Sequence, residues 1–320
     1  MKNWVNPEAE TRCGYQISAE MKKVWNVQLD MLNKLIQVCQ EHGLRCWCDG
    51  GTMHGAVRHK GYIPWDDDID VVMPRPDYDR LQDIAAEEFK YPYFFQTAKT
   101  DTHYYRRHAQ LRRTDTAAIR PSDSYRPFNQ GIFIDIFVFE GVPEDEKEFR
   151  RVLKWTGNRE KYLKAVDYNI LLSGRTSLIF RKLKWRYMVW RHGFYNLFTP
   201  IEETFREHPF ETSKRVAELG LDGWKYQFDR HIFDETIWMN FEKIKVPVPA
   251  GYDKFLRTQY GDDYMKPVKA PNNHGTLIFD TERSYTELLP QVRKLYRRNQ
   301  LYRLFGVKPH YPTTMKKLTS

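Results

Sequence analysis

The sequence contains few cysteines and no long apolar segment, and both features limit the kinds of protein it can encode. Its 320 residues include only four cysteines, without the paired CxxC motifs or the histidine cluster that a zinc site needs. Sparse thiols of this kind are typical of reduced, cytoplasmic proteins. No run approaches the roughly 18–20 apolar residues of a membrane-spanning helix, and the polar N-terminus lacks a signal peptide's apolar core. We therefore expect a cytoplasmic globular protein.

Acidic residues are scarce in two segments, which explains the formal net charge of +9. Residues 150–191 contain 12 Lys and Arg but only two acids, and residues 288–320 contain eight basic residues and no acid. These segments carry +10 and +8, which leaves −9 on the rest of the chain. The total suggests a polyanionic partner such as a nucleic acid or an anionic membrane, but the distribution confines that role to two segments.

The first basic segment has the periodicity of an amphipathic helix within residues 177–198. Apolar side chains recur on one face at roughly 3.6-residue spacing, and lysines and arginines occupy the remaining arc. This pattern has two interpretations: the apolar face packs on the protein's own core, or it binds the surface of an anionic bilayer. The residues of this face are Ile179, Phe180, Leu183, Tyr187, Trp190 and Phe194.

The order of the predicted elements indicates an α+β protein. A helix capped by Ser18 is predicted to end near His42, and strands are predicted at 45–49, 69–73, 93–97, 109–113 and 131–139. The pattern is helical from about 145 to 219, followed by a strand at 242–249 and a helix at 253–260. We expect a mixed β-sheet core flanked by helices, with a basic helical insertion. The predicted regions are 1–144 for the N-terminal helix and core, 145–227 for the insertion, and 228–320 for the rest of the core and a basic tail.

An acidic cluster follows the first predicted strand. Residues 64–70 read Pro-Trp-Asp-Asp-Asp-Ile-Asp, and so many adjacent carboxylates repel one another unless a cation is present. In a strand beginning near Asp68, the side chains of Asp68 and Asp70 would point to one side while Ile69 faces the core. Two such carboxylates suit Mg²⁺, which prefers oxygen ligands. The alternative is a solvated acidic turn.

Two further features fit such a metal site. Asp135 interrupts the apolar strand 131–139, and a lone buried carboxylate is costly unless it meets a cation or hydrogen-bond donors. We expect it to reach the same metal as Asp68 and Asp70, the alternative being an ion pair with Arg112 or Arg113. Upstream, Gly50, Gly51 and Thr52 lie between a strand and a helix, where backbone N–H groups can approach a phosphate.

This layout resembles the nucleotidyltransferase superfamily, and within it the LicD family, which is related to the fukutin-type transferases. The resemblance rests on residues 51–73 (GTMHGAVRHKGYIPWDDDIDVVM), 131–143 (GIFIDIFVFEGVP) and 241–265, which contains FEKIKVPVPAGYDKFL and YGDDYM. His54 departs from the family pattern, which usually has an apolar residue there. The segment between residues 145 and 227 resembles the family only in being helical and basic.

The resemblance implies a phospho-alcohol transferase. Family members use a CDP-alcohol, typically CDP-choline, and transfer the phospho-alcohol to a sugar hydroxyl with release of CMP. It implies that Asp68, Asp70 and Asp135 are catalytic and hold one or two Mg²⁺ or Mn²⁺, and that Asp66 is a further metal ligand or a group beside the metal. The acceptor would be a cell-surface glycan such as lipopolysaccharide, teichoic acid or capsule, or its lipid-linked precursor.

Basic side chains near this site are candidates for binding the donor's diphosphate. Besides the glycine turn at Gly50, Gly51 and Thr52, the predicted substrate-binding residues are Arg58, His59, Lys60, Arg112, Arg113 and His274. The alternative for the loop at 58–60 is a solvated basic turn.

Two rival functions remain at this stage. The chain could be a nucleotidyltransferase that acts on another small molecule or on an RNA hydroxyl, although its basic residues lie outside the catalytic blocks and we expect no nucleic-acid partner. It could instead be a non-catalytic scaffold that docks on membranes. Under either hypothesis, enzyme or scaffold, residues 177–198 would hold the protein at the inner face of the cell membrane.

Overall fold

Thirteen strands and eight α-helices make up the part of the chain that the computed structural model describes, which is residues 3–166, 179–220, 223, 225–269, 276–306, 308 and 310–313. In chain order they are β1 (Glu10–Arg12), β2 (Tyr15–Ile17), α1 (Ala19–Glu41), β3 (Trp47–Cys48), α2 (Gly50–Arg58), β4 (Asp70–Pro74), α3 (Arg75–Glu88), β5 (Tyr93–Gln96), β6 (Ala109–Arg113), β7 (Ala117–Ile119), β8 (Ile132–Gly141), α4 (Glu146–Val166), α5 (Ile179–His192), α6 (Phe194–Arg206), β9 (Arg215–Ala217), β10 (Phe228–Asp229), β11 (Thr236–Phe241), β12 (Ile244–Pro249), α7 (Tyr252–Tyr260), β13 (Ile278–Asp280) and α8 (Tyr285–Leu304).

A mixed seven-stranded sheet forms the centre of the protein. Its main path runs β10-β9-β8-β4-β3, and β6 with β5 outside it pairs with the first half of β8. Only β4 and β8 are parallel, and the remaining pairs of this sheet are antiparallel. The expectation of a mixed sheet flanked by helices is therefore confirmed.

Helix α1 packs along this sheet as its sequence predicts. The Ser18 side chain accepts a hydrogen bond from the Met21 N–H, which caps the first turn. Trp25, Leu29 and Leu35 are fully buried in the main core that α1 shares with β6 and β8. Burying each such side chain contributes about 1.5–3 kcal/mol, so this face alone fixes the helix on the sheet.

A buried ion pair joins the ends of the two parallel strands. Arg75, the first residue of α3, donates from Nε to Glu140 of β8 over 2.9 Å, and both side chains are buried. Arg75 also contacts Asp79 one turn later on its own helix. An unpaired buried charge at this position would strongly destabilise the folded state. The ion pair therefore fixes the position at which α3 leaves the sheet.

Helices α4, α5 and α6 form a second layer with its own apolar core. The predicted helical pattern from 145 to 219 is wrong beyond Arg206, where α6 ends. The chain then returns to the sheet, since Val216 and Ala217 in β9 are fully buried beside the end of β8. The buried face of α6 consists of Phe194, Leu197, Phe198, Ile201 and Phe205.

The apolar face predicted within residues 177–198 does not pack on the protein's own core. Among its described side chains only Phe194 is buried, and it belongs to α6. Phe180, Leu183, Tyr187 and Trp190 of α5 are exposed, so the own-core interpretation is wrong for these four. A search of the described helices finds none long and apolar enough to cross a membrane.

Candidate active site

Two parallel strands bring Asp70 and Asp135 together. The register of β4 against β8 pairs these two residues directly, and paired residues of neighbouring strands project to the same face of a sheet. The backbone supports this register, because the Asp135 N–H donates to the Ile69 carbonyl over 2.9 Å. Asp135 is buried, whereas Asp70 is half-buried. The strands therefore present two carboxylates at one point on the sheet.

Asp68 adds a third carboxylate from the loop before β4. Ligand oxygens of Asp68, Asp70 and Asp135 all lie within 4.8 Å of one another. The prediction that Asp68 lies in the strand is wrong, since β4 begins at Asp70. Its carboxylate reaches the site from the loop, and Asp66, Asp67 and Asp68 form a second group within 4.8 Å. Four of the acidic side chains of the motif thus converge on one face of the molecule.

Helix α1 holds the acidic loop through its backbone. The Trp25 indole N–H donates to the Asp66 carbonyl over 3.1 Å, and the Gln28 amide donates to the Asp67 carbonyl over 2.8 Å. The Trp25 ring in turn stacks on Tyr62, with ring centroids 4.2 Å apart. These contacts fix the backbone of the acidic loop, within which Asp66 Oδ1 also accepts a hydrogen bond from the Asp67 N–H over 3.2 Å.

The glycines of the predicted phosphate turn lie in the first turn of α2 and make room for the acidic side chains. Gly50 has φ +46°, and a β-carbon there would lie 3.4 Å from Asp70 Oδ2. A β-carbon on Gly51 would lie only 2.5 Å from Asp66 Oδ2. Thr52 accepts a hydrogen bond from the Asp70 N–H over 2.9 Å. The turn therefore contacts the acidic cluster directly, in addition to presenting the N-terminus of α2.

The carboxylates differ in their protonation equilibria. Burial raises the pKa of Asp68 well above its ordinary value, and the neighbouring Asp70 and Asp66 raise it further. Burial and the charge of Asp135 likewise raise the pKa of Asp70. Burial alone would also raise the pKa of Asp135, but its contact with His108 and other donors lowers it to about 2. The site thus combines two mutually repelling carboxylates with one that stays ionised.

Such a donor set fits a hard divalent cation. It offers carboxylate oxygens alone, and burial together with the charges of the neighbouring aspartates raises the pKa of both Asp68 and Asp70. Mg²⁺ and Mn²⁺ prefer such oxygen ligands, and they also leave coordination positions for phosphate. Asp66, Asp68, Asp70 and Asp135 are the residues that could hold one or two such ions.

Two partners of Asp135 were not predicted from the sequence. His108 Nε2 lies 3.1 Å from Asp135 Oδ1, and the Gln110 amide donates to the same oxygen over 2.6 Å. The expected alternative, an ion pair between Asp135 and Arg112 or Arg113, is therefore wrong. Gln110 lies in β6 opposite Asp135, and His108 directly precedes that strand, so finding either residue from the sequence requires the register of β6 against β8.

Tyr260 is a further residue that the sequence did not reveal. Its ring packs on His54 with centroids 4.8 Å apart, and the side chain is 43% exposed. A β-carbon on Gly50 would lie 3.7 Å from its hydroxyl, which has no hydrogen-bond partner among the described residues. Burial and the charges of Asp49 and Asp70 raise its pKa, so the hydroxyl stays protonated and can donate. Tyr260 therefore borders the acidic cluster with a donor group.

The loop at 58–60 lies beside the C-terminal block. Arg58 donates from NH1 to the carbonyls of Tyr264 and Lys266 over 2.8 and 3.1 Å, and its Nε donates to His59. Lys60 is exposed and adopts φ +56°. Arg58 thus connects α2 to the segment after α7. His59 is half-buried like Arg58, and Lys60 is the exposed residue of the three.

The remaining predicted phosphate contacts are engaged elsewhere. Arg112 is buried and donates to Gln96 over 2.5 Å and to the Gly131 carbonyl over 2.6 Å. Arg113 forms ion pairs with Asp30 and Asp115. Both lie on β6 within protein networks, and Arg112 reaches the cluster only through Gln110. His274 lies outside the described residues.

Comparison with known proteins matches a region that contains two of the three blocks, residues 51–73 and 131–143. Residues 43–168 match the family model described as LicD/FKTN/FKRP, nucleotidyltransferase domain. The chain is 28% identical over 255 residues to the lipopolysaccharide cholinephosphotransferase LicD of Haemophilus influenzae, covering 75% of this chain and 89% of that protein. A shorter match, 37% identical over 51 residues, covers 16% of this chain and 19% of an uncharacterized protein of Rickettsia prowazekii. Residues 43–168 are therefore similar to the nucleotidyltransferase domain of the LicD family, which confirms the resemblance that the sequence indicated.

Proposed function

We propose that this protein is a metal-dependent phosphocholine transferase. It would take phosphocholine from CDP-choline, transfer it to a hydroxyl of a cell-surface glycan or its lipid-linked precursor, and release CMP. The observation that carries the proposal is the convergence of Asp68, Asp70 and Asp135 within 4.8 Å. It is supported by the similarity to a protein named as a lipopolysaccharide cholinephosphotransferase.

The proposed fold of the catalytic part is of the nucleotidyltransferase type. This is supported by the parallel pair of β4 and β8, which places Asp70 beside Asp135, and by the helix that follows the glycine turn. The description of the matching family model also names a nucleotidyltransferase domain.

In the proposed reaction, the acceptor hydroxyl attacks the phosphorus that carries choline. A new oxygen–phosphorus bond forms, the phosphoanhydride bond breaks, and its electron pair remains on the oxygen of departing CMP. The hydroxyl proton is released to solvent. A bound Mg²⁺ would neutralise the charge of the diphosphate, which is the main requirement of phosphoryl transfer.

The protein side chains have distinct parts in this proposal. Asp68 and Asp70 would hold the cation, with Asp66 beside them. Asp135 Oδ1 already accepts bonds from His108 and Gln110, which leaves Oδ2 as the oxygen that would bind the cation or the acceptor hydroxyl. With a pKa of about 2, Asp135 is suited to ligating and to accepting a hydrogen bond from the acceptor hydroxyl, and it is a weak proton acceptor.

The donor's phosphates would lie between the acidic cluster and the surrounding donor groups. The first turn of α2 offers backbone N–H groups at its N-terminus, where a negative charge is favoured. Tyr260 offers a hydroxyl without a partner among the described residues, and Lys60 offers an exposed basic group. These groups would orient the diphosphate so that CMP leaves in line with the incoming hydroxyl.

The proposed location is the cytoplasm. All four cysteines are free thiols, and three of them are buried, which fits a reducing compartment.

The test is release of CMP from a panel of CDP-alcohols with Mg²⁺, using lipopolysaccharide and its lipid-linked precursors as acceptors. We expect CDP-choline to support turnover, and Asp70→Asn to lower it at least about 100-fold, as loss of an electrostatic group does in other enzymes. Asp83→Asn is the matched control, since Asp83 is exposed on α3. Equal turnover by Asp70→Asn and wild type would overturn the assignment.

A second candidate function follows from the description of the family model as a nucleotidyltransferase domain. In that case the protein would transfer a nucleotidyl group from a nucleoside triphosphate to a small-molecule or RNA hydroxyl. The same assay with CTP and ATP, read as pyrophosphate release, distinguishes this reaction. Absence of both CMP and pyrophosphate with every donor and acceptor would favour the non-catalytic scaffold.

A further inference from the structure

Helix α5 exposes a continuous stripe of large apolar side chains. Phe180 is 86% exposed, Leu183 50%, Tyr187 58% and Trp190 79%. At the 100° per residue of an α-helix, these four side chains fall within an arc of about 80°. Scattered apolar residues are normal on protein surfaces, but a contiguous stripe of this kind indicates an interaction site. We call these four residues the α5 stripe.

The α5 stripe lies opposite the face by which the helix packs on the protein. Trp185, Met188 and Val189 are partly buried against the apolar core formed with α4 and α6. Lys182 on the same side is also buried. The packing of α5 is therefore complete without the stripe, which is available to a partner outside the described part of the chain.

Basic residues flank the α5 stripe on both sides. Arg191 and Lys184 follow it on one edge and Arg186 on the other, within about 40° of the outermost apolar side chains at 100° per residue. The sequence contains no acid between Asp167 and Glu202. An apolar centre with cationic edges is complementary to a surface that is apolar inside and negatively charged at its boundary.

We propose that α5 docks the protein on an anionic lipid bilayer, lying in the plane of the interface. The helix has 14 residues and a length of about 21 Å, which is shorter than a hydrocarbon core of about 30 Å. The stripe enters the headgroup boundary, where Trp190 and Tyr187 occupy the position that such aromatic side chains favour. Lys184 and Arg191 contact lipid phosphates. The α5 stripe shares no residue with the acidic site. Binding to vesicles is therefore measured without an activity assay.

Other occupants fit the same surface less well. A nucleic acid would contact the basic edges and leave Phe180 and Leu183 in water, where their exposure is unfavourable. A second copy of the chain, related by a two-fold axis, would bring Lys184 and Arg191 of both copies close together, and like charges repel. A bilayer of anionic lipid satisfies both the apolar centre and the cationic edges.

The experiment is co-sedimentation of the full chain with vesicles, at 50 and 500 mM NaCl. Vesicles of phosphatidylglycerol and phosphatidylcholine are compared with vesicles of phosphatidylcholine alone. We expect the protein to bind the anionic vesicles at 50 mM NaCl. Partitioning should be at least tenfold weaker on neutral vesicles, and also at 500 mM NaCl, where salt screens the charges. Equal partitioning on both vesicle types, or none on either, would overturn the proposal.

Matched variants assign the binding to α5. Trp190→Ser should lower partitioning at least about tenfold, while Trp238→Ser, which removes a 44% exposed tryptophan from β11, should leave it within twofold. Unchanged partitioning of Trp190→Ser would overturn the role of the stripe. Circular dichroism of both variants verifies that the helices remain folded.

A second pair of variants tests the cationic edges. Lys184→Gln with Arg191→Gln should weaken binding to anionic vesicles at least fivefold, whereas Lys147→Gln with Lys245→Gln removes the same charge from exposed positions elsewhere and should change it less than twofold. An equal loss of vesicle binding in both double variants would show a general effect of net charge. That result would contradict the assignment of binding to the basic edges of α5. Self-association or RNA binding that Trp190→Ser abolishes, without vesicle binding, would likewise overturn it.

Discussion

Replacing Asp70 with Asn should stabilise the protein when no divalent cation is present. Its carboxylate and those of Asp68 and Asp135 have oxygens at most 4.8 Å apart, and one pair of charges at that distance repels by about 3.5 kcal/mol at an effective dielectric constant of 20. Contact with His108 offsets part of this repulsion. We therefore expect Asp70→Asn to raise the free energy of unfolding by about 1–3 kcal/mol in a chelator, or the Tm by about 2–4 °C.

The stability of the metal-free protein should fall as pH rises, and Asp70→Asn should reduce this dependence. Because the folded state raises the pKa of Asp68 and of Asp70 above their unfolded values, the folded protein binds more protons than the unfolded chain as pH rises above about 4. The stability of the metal-free wild type therefore falls as pH rises through this window. Asp70→Asn removes one of these groups, so its stability should fall less over the same range.

The assay is thermal and chemical unfolding of wild type, Asp70→Asn and the control Asp83→Asn, in EDTA and in Mg²⁺. Wild type and Asp83→Asn should gain stability from Mg²⁺, because an ion that binds only the folded state stabilises it. Asp70→Asn should gain less. The reasoning is refuted if Asp70→Asn is less stable than wild type in EDTA, or if Mg²⁺ stabilises all three proteins equally.

Three further predictions follow from the structure. Gly51→Ala would place a β-carbon 2.5 Å from Asp66 Oδ2, so we expect CMP release to fall at least about tenfold with little change in Tm; unchanged turnover would contradict this. Tyr260→Phe removes a hydroxyl without a partner among the described residues, so unfolding free energy should change by less than about 0.5 kcal/mol while kcat/KM for the CDP-alcohol falls roughly threefold to tenfold. Arg75→Met leaves the buried Glu140 unpaired and should lower the unfolding free energy by about 3–5 kcal/mol in urea titration, and adding Glu140→Leu should restore most of it.

Local signals in the sequence predict several elements well. Ser18 caps α1 and Gly43 follows its end, so both boundaries of that helix are set by nearby residues. The apolar run around Asp135 predicts β8, and the acidic motif predicts the carboxylate cluster. These predictions hold because capping, apolar runs and charge density depend on residues close together in the chain.

The parts that the sequence did not reveal depend on long-range pairing. His108 and Gln110 meet Asp135 only because β6 pairs with β8 in one particular register, which no local pattern specifies. The short strand β9 exists because it pairs with the end of β8 after a chain reversal. Tyr260 reaches the site because α7 packs near α2, and its own neighbours in sequence carry no sign of this contact.

For helix α5, the sequence pattern predicts the helix but does not decide which of its faces is exposed. Periodicity correctly predicts an amphipathic helix, but Trp185, Met188 and Val189 on the opposite side are also apolar. The pattern therefore allows either face to pack on the core, and the fold turns the face with Trp185, Met188 and Val189 toward α4 and α6. The structure thus assigns the exposed face to Phe180 and Trp190, which the sequence left undecided.

The central claim is that the carboxylates of Asp68, Asp70 and Asp135 catalyse transfer of a phospho-alcohol. The most direct measurement follows CDP-choline by ³¹P nuclear magnetic resonance, with the acceptor glycan and Mg²⁺ present. With wild type, we expect the diphosphate signals to be replaced by those of CMP and a phosphodiester. The diphosphate signals should persist with Asp68→Asn, with Asp70→Asn and with wild type in EDTA. Formation of CMP and phosphodiester at the wild-type rate by either variant would contradict it.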